Sequence, residues 1–427
     1  MAAQHARRVV VTGFGAVTNL GPDAHATWLG MRDGRSGITA ITGAAFEAWP
    51  EDQWPVRIGG EISGWDPTQR IDRREAKRLD RFAQLGITAG IEAWEHSGID
   101  INSETPDRCG CVIGSGVGGI QTIEESVKTL LDKGPTRISP FTVPRLMANA
   151  IAGDLSIRFG LEGPSDSHTT ACASSGHSIG DAVAIIRRNE ADVMLAGGAE
   201  GAVSPLCLAS FMTMKALSTR NDDPTAASRP FDRDRDGFVL AEGAAVLVLE
   251  ELEHAKARGA TIHAEILGFA ASSDAYHITA PDEGGKGAAK AMSNALKDAG
   301  LNVSDVNYIN AHGTSTPLGD VAEVNAVMKV FGDHARKSAG GRLLMSSSKS
   351  MTGHCLGASG GVESISCLGA FRERVVTPTI NCHNPDDAFD MDFVPHEARE
   401  ADIKVALNNT FGFGGHNVSI ALGRYDG

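Results

Sequence analysis

No two cysteines in this 427-residue chain are spaced as C-x-x-C, and the seven present are scattered singly from Cys109 to Cys382. An odd, unpaired set excludes a disulfide framework and points to a reducing compartment. Cys109 and Cys111, either side of one glycine in a strand-like run, read as core. Positive charge is also short. Thirty-nine Lys and Arg face 53 Asp and Glu, a net −14 that argues against nucleic acid or an anionic membrane as the main partner. Long apolar runs are missing as well. The opening "MAAQHARRVVVTGFGA" has basic residues before a short apolar run, but it meets Thr12 and Gly13 after three valines, too soon for a signal peptide. The longest later run, "AAVLVL", is far below membrane-spanning length. A cytoplasmic protein is expected.

What is present is ordinary in bulk and particular in detail. Hydrophobic content of 42% and charged content of 22% suit a soluble globular protein, and the length gives ample core for two domains or one double one. The 50 glycines cluster in short motifs, which implies tight turns and close backbone approach. Strand-like runs alternate with helical ones, as in an α/β layered fold. "RRVVVTGFG" and "RCGCVIGSG" read as strands, and "LDRFAQLGITAGIEAWEHSG" as a helix. "SSGHSIGDAVAIIRRNE" is a helix with Ile179, Val183 and Ile186 on one stripe, leading into the buried strand "ADVMLAGG". The same grammar returns after about residue 260, in "IHAEILGFAA", "GKGAAKAMSNALKDAG", "VNYINAHG", "RLLMSSSKS" and "ASGGVESISCLGAFRE". Two related halves are expected, residues 1–255 and 256–427, with "EELEHAKARGA" at the join and no flexible linker between them.

Three motifs are set aside. "GSGVGG", residues 114–119, matches G-x-G-x-x-G after a strand, but no strand ending in an acidic residue follows at dinucleotide-site spacing. "DRDRDG", from Asp232, starts like a calcium loop but has Gly243 at the twelfth position. His177 lies five residues after Cys172, an offset that does not share a helix face.

The remaining candidates sit in Gly/Ser/Thr-rich turns between strands and helices. "TTACASSGHSIG" places Cys172 where a helix begins, and the positive end of the helix dipole is expected to favour its thiolate. "NAHGTSTPLGD" places His312 just past the carboxyl end of a strand, where open α/β folds carry their chemistry. "SSSKSMTGHCLGASGG" adds Lys349 and His354 ahead of another helix. Neutral imidazoles can donate to a thioester carbonyl as negative charge grows on it, and lysine adds fixed positive charge. "NNTFGFGGHN" holds Phe413 between glycines, free to move its amide and its ring.

Taken in order, "VVVTGFGAVTNLG", "ISPFTVP", "TTACASSGHSIGDA", "ALSTRND", "SRPFDRDRDGFVLAEGAA", "NAHGTSTPLGD", "KSMTGHCLGA", "PTIN" and "NTFGFGGHN" resemble the β-ketoacyl-[acyl-carrier-protein] synthases of the thiolase-like superfamily. The resemblance implies a five-layer αβαβα fold of duplicated halves, a homodimer, and decarboxylative condensation of an acyl-enzyme with malonyl-acyl carrier protein. It assigns Cys172 as nucleophile, and His312 and His354 as the pair that stabilises the enolate. Lys349 corresponds to the lysine that orders them. It gives Glu363, Asp320 and Glu323 as supporting carboxylates, and the amides of Cys172 and Phe413 as an oxyanion hole, with Phe413 also the gate. Thr314, Thr316 and Thr279 correspond to phosphopantetheine contacts, and Val117 to a wall of the acyl pocket. Arg73, Arg74, Lys77, Arg78, Arg137 and Lys215 stand where carrier-docking charge is presented, with Arg81 following the first cluster; the bland reading of that cluster is a solvated helix face. No metal or organic cofactor is implied beyond the phosphopantetheine arm carried by the partner. The His/His/Lys set, the length, "SDAYHITAP" and "DFVPHEAR" most resemble the type II elongating synthase. The same chemistry in a polyketide or specialised lipid pathway is the alternative, and a non-catalytic chain-length subunit is the reading that Cys172 opposes. "ACASS" after the nucleophile and His416 in place of the usual threonine depart from the common pattern and leave chain-length preference open.

Overall fold

A computed structural model describes residues 7–427 apart from the side chains of Ala44 and Ala45; Met1–Ala6, which begin the opening segment read above, lie outside the described residues. The apolar runs become ten strands: β1 (Val9–Thr18), β2 (Cys109–Gly114), β3 (Ser165–Asp166), β4 (Val193–Glu200), β5 (Gly243–Glu251), β6 (Ala264–Ser273), β7 (Tyr308–Asn310), β8 (Leu344–Ser346), β9 (Val405–Gly412) and β10 (His416–Gly423). They form one sheet in the order β8-β7-β9-β10-β6-β1-β5-β4-β2-β3.

Counted within each half, both five-strand sets run third, second, fourth, fifth, first. The pairings agree too. In the first half, β3–β2 and β2–β4 are parallel, β4–β5 and β5–β1 antiparallel. In the second, β8–β7 and β7–β9 are parallel, β9–β10 and β10–β6 antiparallel. The halves meet where Val9–Val11 pair antiparallel with Ala264–Ile266. β1, β4 and β5 are buried along their whole length, as strands covered on both faces must be.

Helices supply that cover. α1 (Arg81–Ser97), started by the Asp80 side chain and stopped by left-handed Gly98, lies on the outer face of the first half. α2 (Ile120–Lys133) follows β2 directly. α3 (Ser174–Arg187) and the almost wholly buried α6 (Ser359–Glu373) pack against each other and against strands of both halves, inside the largest apolar core. α4 (Lys286–Ala299) and α5 (Pro317–Phe331) cover the outside of the second half. The layers are therefore αβαβα, with the chemistry-bearing turns at the inner helix starts. No helix among the described residues is long and apolar enough to cross a membrane.

Candidate active site

Cys172 lies in a short 3₁₀ turn, Ala171–Ala173, immediately before α3, and Ala171 is forced to a φ of 49°. A non-glycine residue there carries strain, which the surrounding packing must hold in place. Gly412, at the end of β9, allows this approach: a Cβ on it would stand 3.2 Å from the amides of Cys172 and Ala173. The sulfur is nearly enclosed, with 8% of the residue exposed. This corrects one expectation. Burial pushes the thiol up to about 12, outweighing the Lys349 charge and the amides of Phe413 and Cys172 that favour the anion. The resting nucleophile is a thiol, because desolvation beats the helix dipole.

Its sulfur faces an imidazole. His354 Nε2 is 3.0 Å from Cys172 Sγ, and His354 Nδ1 is 3.0 Å from the hydroxyl of Ser359, the first residue of α6. A serine hydroxyl can donate or accept, so it supports either imidazole tautomer. The His312 ring stands edge-on to His354 with centroids 5.3 Å apart. Burial, followed by the Lys349 charge, holds both rings well below the ordinary imidazole value, so both are neutral. Two neutral rings edge to face, one of them against the sulfur, can present N–H donors to a carbonyl oxygen without adding charge to a buried site.

Their supports come from the second half. Glu323 on α5 accepts from the amides of His312 (2.9 Å) and Gly313 (2.7 Å), fixing the strand end that carries the ring. Asp320 accepts from the amides of Phe231 (2.8 Å) and Ser315 (3.1 Å), holding the following loop. Lys349 is buried and ion-paired with Glu363 of α6. Burial raises the Glu323 and Glu363 carboxyls to about 7 and that of Asp320 to about 6, against the bonds and charges that favour ionisation. Thr316 caps α5 by accepting from Gly319, and its hydroxyl is 3.0 Å from that of Thr314.

Phe413 sits in the turn of the β9–β10 hairpin, where Gly414 and Gly415 have φ of 85° and 74°. Its ring centroid is 6.4 Å from Phe211, in the helix Pro205–Thr213, and Phe211 leads through Phe238 to His354. The Gly414 amide donates to the Ile278 carbonyl (2.7 Å), placing the segment that holds Thr279 against this turn; Thr279 itself bonds His277. Val117 is partly exposed in the loop after β2. The glycine-rich loop that imitates a phosphate cradle has its amides filled from within. Glu200, at the end of β4, accepts from Gly116 (2.8 Å), Val117 (3.2 Å), Gly357 (3.0 Å) and the Ser115 hydroxyl (3.0 Å). Sequence reasoning missed Glu200 and Ser359. A lone acid closing a buried strand was the available signal for the first.

His177 bonds Thr170 and the Ala173 carbonyl, the structural role expected of it. The basic run is broken rather than one helix face. Asp72 caps a four-residue helix, Arg73–Ala76, and Asp80 starts α1. Arg73, Arg74 and Lys77 are exposed, as are Arg137 and Lys215. Arg78 lies over the Phe141 ring, and Arg81 is taken by buried Glu242.

Residues 6–255 match the family model described as Beta-ketoacyl synthase, N-terminal domain, and residues 263–383 match Beta-ketoacyl synthase, C-terminal domain. The chain is 48% identical over 425 residues to the 3-oxoacyl-[acyl-carrier-protein] synthase 2 of Synechocystis sp., spanning 100% of both chains. Against the protein of that name from Vibrio cholerae it is 48% identical over 419 residues, 98% of this chain and 99% of the other. Two solved structures are similar. A beta-ketoacyl synthase from Burkholderia phymatum superposes with a TM-score of 0.88 at 35% identity, covering 98% of this chain and 100% of the other. A ketosynthase bound to the hexaketide, in complex with its type II polyketide acyl-carrier protein, gives 0.89 at 32% identity with the same coverage.

Proposed function

The chain belongs to the β-ketoacyl synthase family, and we propose that it elongates fatty acyl chains by condensing an acyl group held on Cys172 with malonyl-acyl carrier protein. The observation that carries this reading is the 3.0 Å approach of His354 Nε2 to Cys172 Sγ, with neutral His312 beside it. Cys172 would lose its proton, attack the acyl-carrier thioester and release the carrier's thiol. The malonyl thioester carbonyl would then take the sulfur's neighbourhood, accepting N–H bonds from both imidazoles. Its carboxylate leaves as CO2, and the electron pair of that C–C bond becomes the enolate. The enolate carbon attacks the acyl-cysteine carbonyl, whose oxygen the amides of Cys172 and Phe413 would receive. Collapse frees the cysteine sulfur and leaves 3-oxoacyl-acyl carrier protein. Lys349 and Glu363 would hold the field that keeps both rings neutral.

Full-length identity of 48% to relatives named 3-oxoacyl-[acyl-carrier-protein] synthase 2, against 32% to the polyketide ketosynthase, favours fatty acid elongation over the polyketide pathway. In this reading the divide falls near residues 255–256, supported by the repeated strand order. Thr314, Thr316 and Thr279 line the arm's approach, Phe413 gates it, and Val117 walls the acyl pocket. The phosphopantetheine arm arrives on the carrier, and the protein needs no cofactor of its own in the cytoplasm. Arg73, Arg74, Lys77, Arg78, Arg137 and Lys215 would meet the acidic carrier, because a chain of net −14 needs local positive charge to attract it. A homodimer is supported by the exposed two-residue edge strand β3 and by exposed apolar side chains on neighbouring helices, among them Val127, Leu131, Val143 and Ile157.

The test loads the purified chain with a panel of acyl-carriers and reads the mass added to the Cys172 peptide, then adds labelled malonyl-carrier. One acyl group on that peptide, and its transfer to product, is expected; Cys172→Ala should do neither. Unchanged incorporation of label by Cys172→Ala would reject the assignment.

A further inference from the structure

The two inner helices begin alike. Ala171–Ala173 leads into α3 and Leu356–Ala358 leads into α6. Each turn is a three-residue 3₁₀ segment whose first residue is a non-glycine at positive φ, 49° for Ala171 and 42° for Leu356. The two turns touch, and each is abutted by the end of the fourth strand of the opposite half: β9 against the first, β4 against the second. Position 172 in one turn corresponds to 357 in the other. In the first, the thiol stands beside the bare backbone of Gly412. In the second, no side chain is possible, since a Cβ on Gly357 would lie 2.2 Å from the Gly116 nitrogen. The strand-end residue supplies the side chain instead, and that residue is Glu200.

Glu200 has no exposed surface and no basic partner among its bonds. Its two oxygens divide the work. Oε2 takes the amides of Gly116 and Gly357, tying the loop after β2 to the turn that follows His354. Oε1 takes the Val117 amide and the Ser115 hydroxyl, and Ser115 in turn accepts from Gly118. A buried carboxylate met only by donors persists because those bonds and the start of α6 offset its desolvation. Burial still raises it to about 7.

We propose that Glu200 is a positioning residue for acyl-chain selection: it fixes the loop that carries Val117 to the Leu356–Ala358 turn and so sets the wall that a long acyl chain must meet. The proposal rests on the condensing reading of the site given above. Glu200 touches neither substrate nor a reacting atom, and it acts through two backbone segments. The geometry also says how to separate its two oxygens. In Glu200→Gln the amide NH2 is best placed at Oε1, where Ser115 can turn to accept it. The Val117 amide then faces a donor while the Gly116–Gly357 tie survives.

The experiment compares kcat/KM for short and long acyl-carriers, with malonyl-carrier decarboxylation measured alongside, on full-length wild type, Glu200→Gln and Ser115→Ala. Glu200→Gln should lower the long-to-short ratio about tenfold, the usual worth of one charge-assisted bond, and leave decarboxylation unchanged. Ser115→Ala, which removes one bond to the same oxygen, should shift the ratio the same way by less, and it serves if Glu200→Gln does not fold. Equal losses at both lengths, or no loss at either, would overturn the proposal. Wild-type protein that fails to acquire acyl mass on Cys172 would instead overturn the condensing reading, so the two failures are distinguishable.

Discussion

The turn at Cys172 and the turn at Gly357 share a backbone and differ in what fills them. One presents sulfur to an imidazole of the other half, and the other presents an amide to a carboxylate of the other half. Each half thus completes its partner's helix start, and only one of the two completions is reactive. The division extends outward. The nucleophile, Val117 and all six candidate docking cations precede residue 256, while both histidines, the lysine and their carboxylates follow it. In the proposed reading, duplication provided two frames, one of which took the covalent chemistry and carrier contact and the other the charge control.

The sharpest way to break this comparison is at His354. His354→Ala should cut malonyl-carrier decarboxylation by about 10²–10³-fold, the scale of losing one oxyanion donor, and reduce acyl loading less. Loading lost with decarboxylation intact would reverse the division of labour. Next comes the silent turn. Gly357→Ala should destabilise the protein by about 3 kcal/mol, because its Cβ meets backbone rather than a yielding side chain; a lowered urea midpoint at constant slope reads this. An unchanged midpoint would show that the turns are not held as tightly as the distances say. Reversing charge at Lys77 and Arg78 should raise KM for acyl-carrier roughly fivefold and flatten its salt dependence, leaving kcat in place. No change in either would make that rim mere surface.

The smallest effect lies at the seam between the halves. His254 bridges Glu250 and Glu104, and these two carboxylates raise its pKa to about 9; Arg258 shares Glu250. A raised histidine contributes stability that is full below its unfolded value of 6.5 and is lost as pH climbs through about 9. The Tm gap between wild type and His254→Gln should be widest in mild acid and close above that range. A gap independent of pH would mean the ring acts by packing alone.

Much of this is legible in the sequence. Apolar runs such as Val9–Val11 and Val193–Leu195 announce buried strands, and the turns around Cys172, His312 and His354 announce their chemistry by composition. The repeated order of strands is visible only as repeated grammar, because pairing partners lie far apart in the chain, as Val9 and Glu251 do at a separation of 242 positions. The helix start alone predicts a thiolate at Cys172, whereas enclosure, a tertiary property, keeps the proton on the sulfur. The broken basic helix was legible in principle, as Asp72 and Asp80 are both capping residues. Glu200 showed only as a lone acid closing a buried strand, and its role needs the fold, because its four donors come from two distant segments, residues 115–117 and Gly357.

The filled turn at Gly357 also fixes how much cargo the enzyme can hold. A duplicated scaffold might be thought to offer two loading points, yet the second has no room for a thiol and its amide is already engaged. In the proposed reaction each polypeptide therefore carries a single passenger at a time, and the chain must pass to the malonyl-bearing carrier before the next can board.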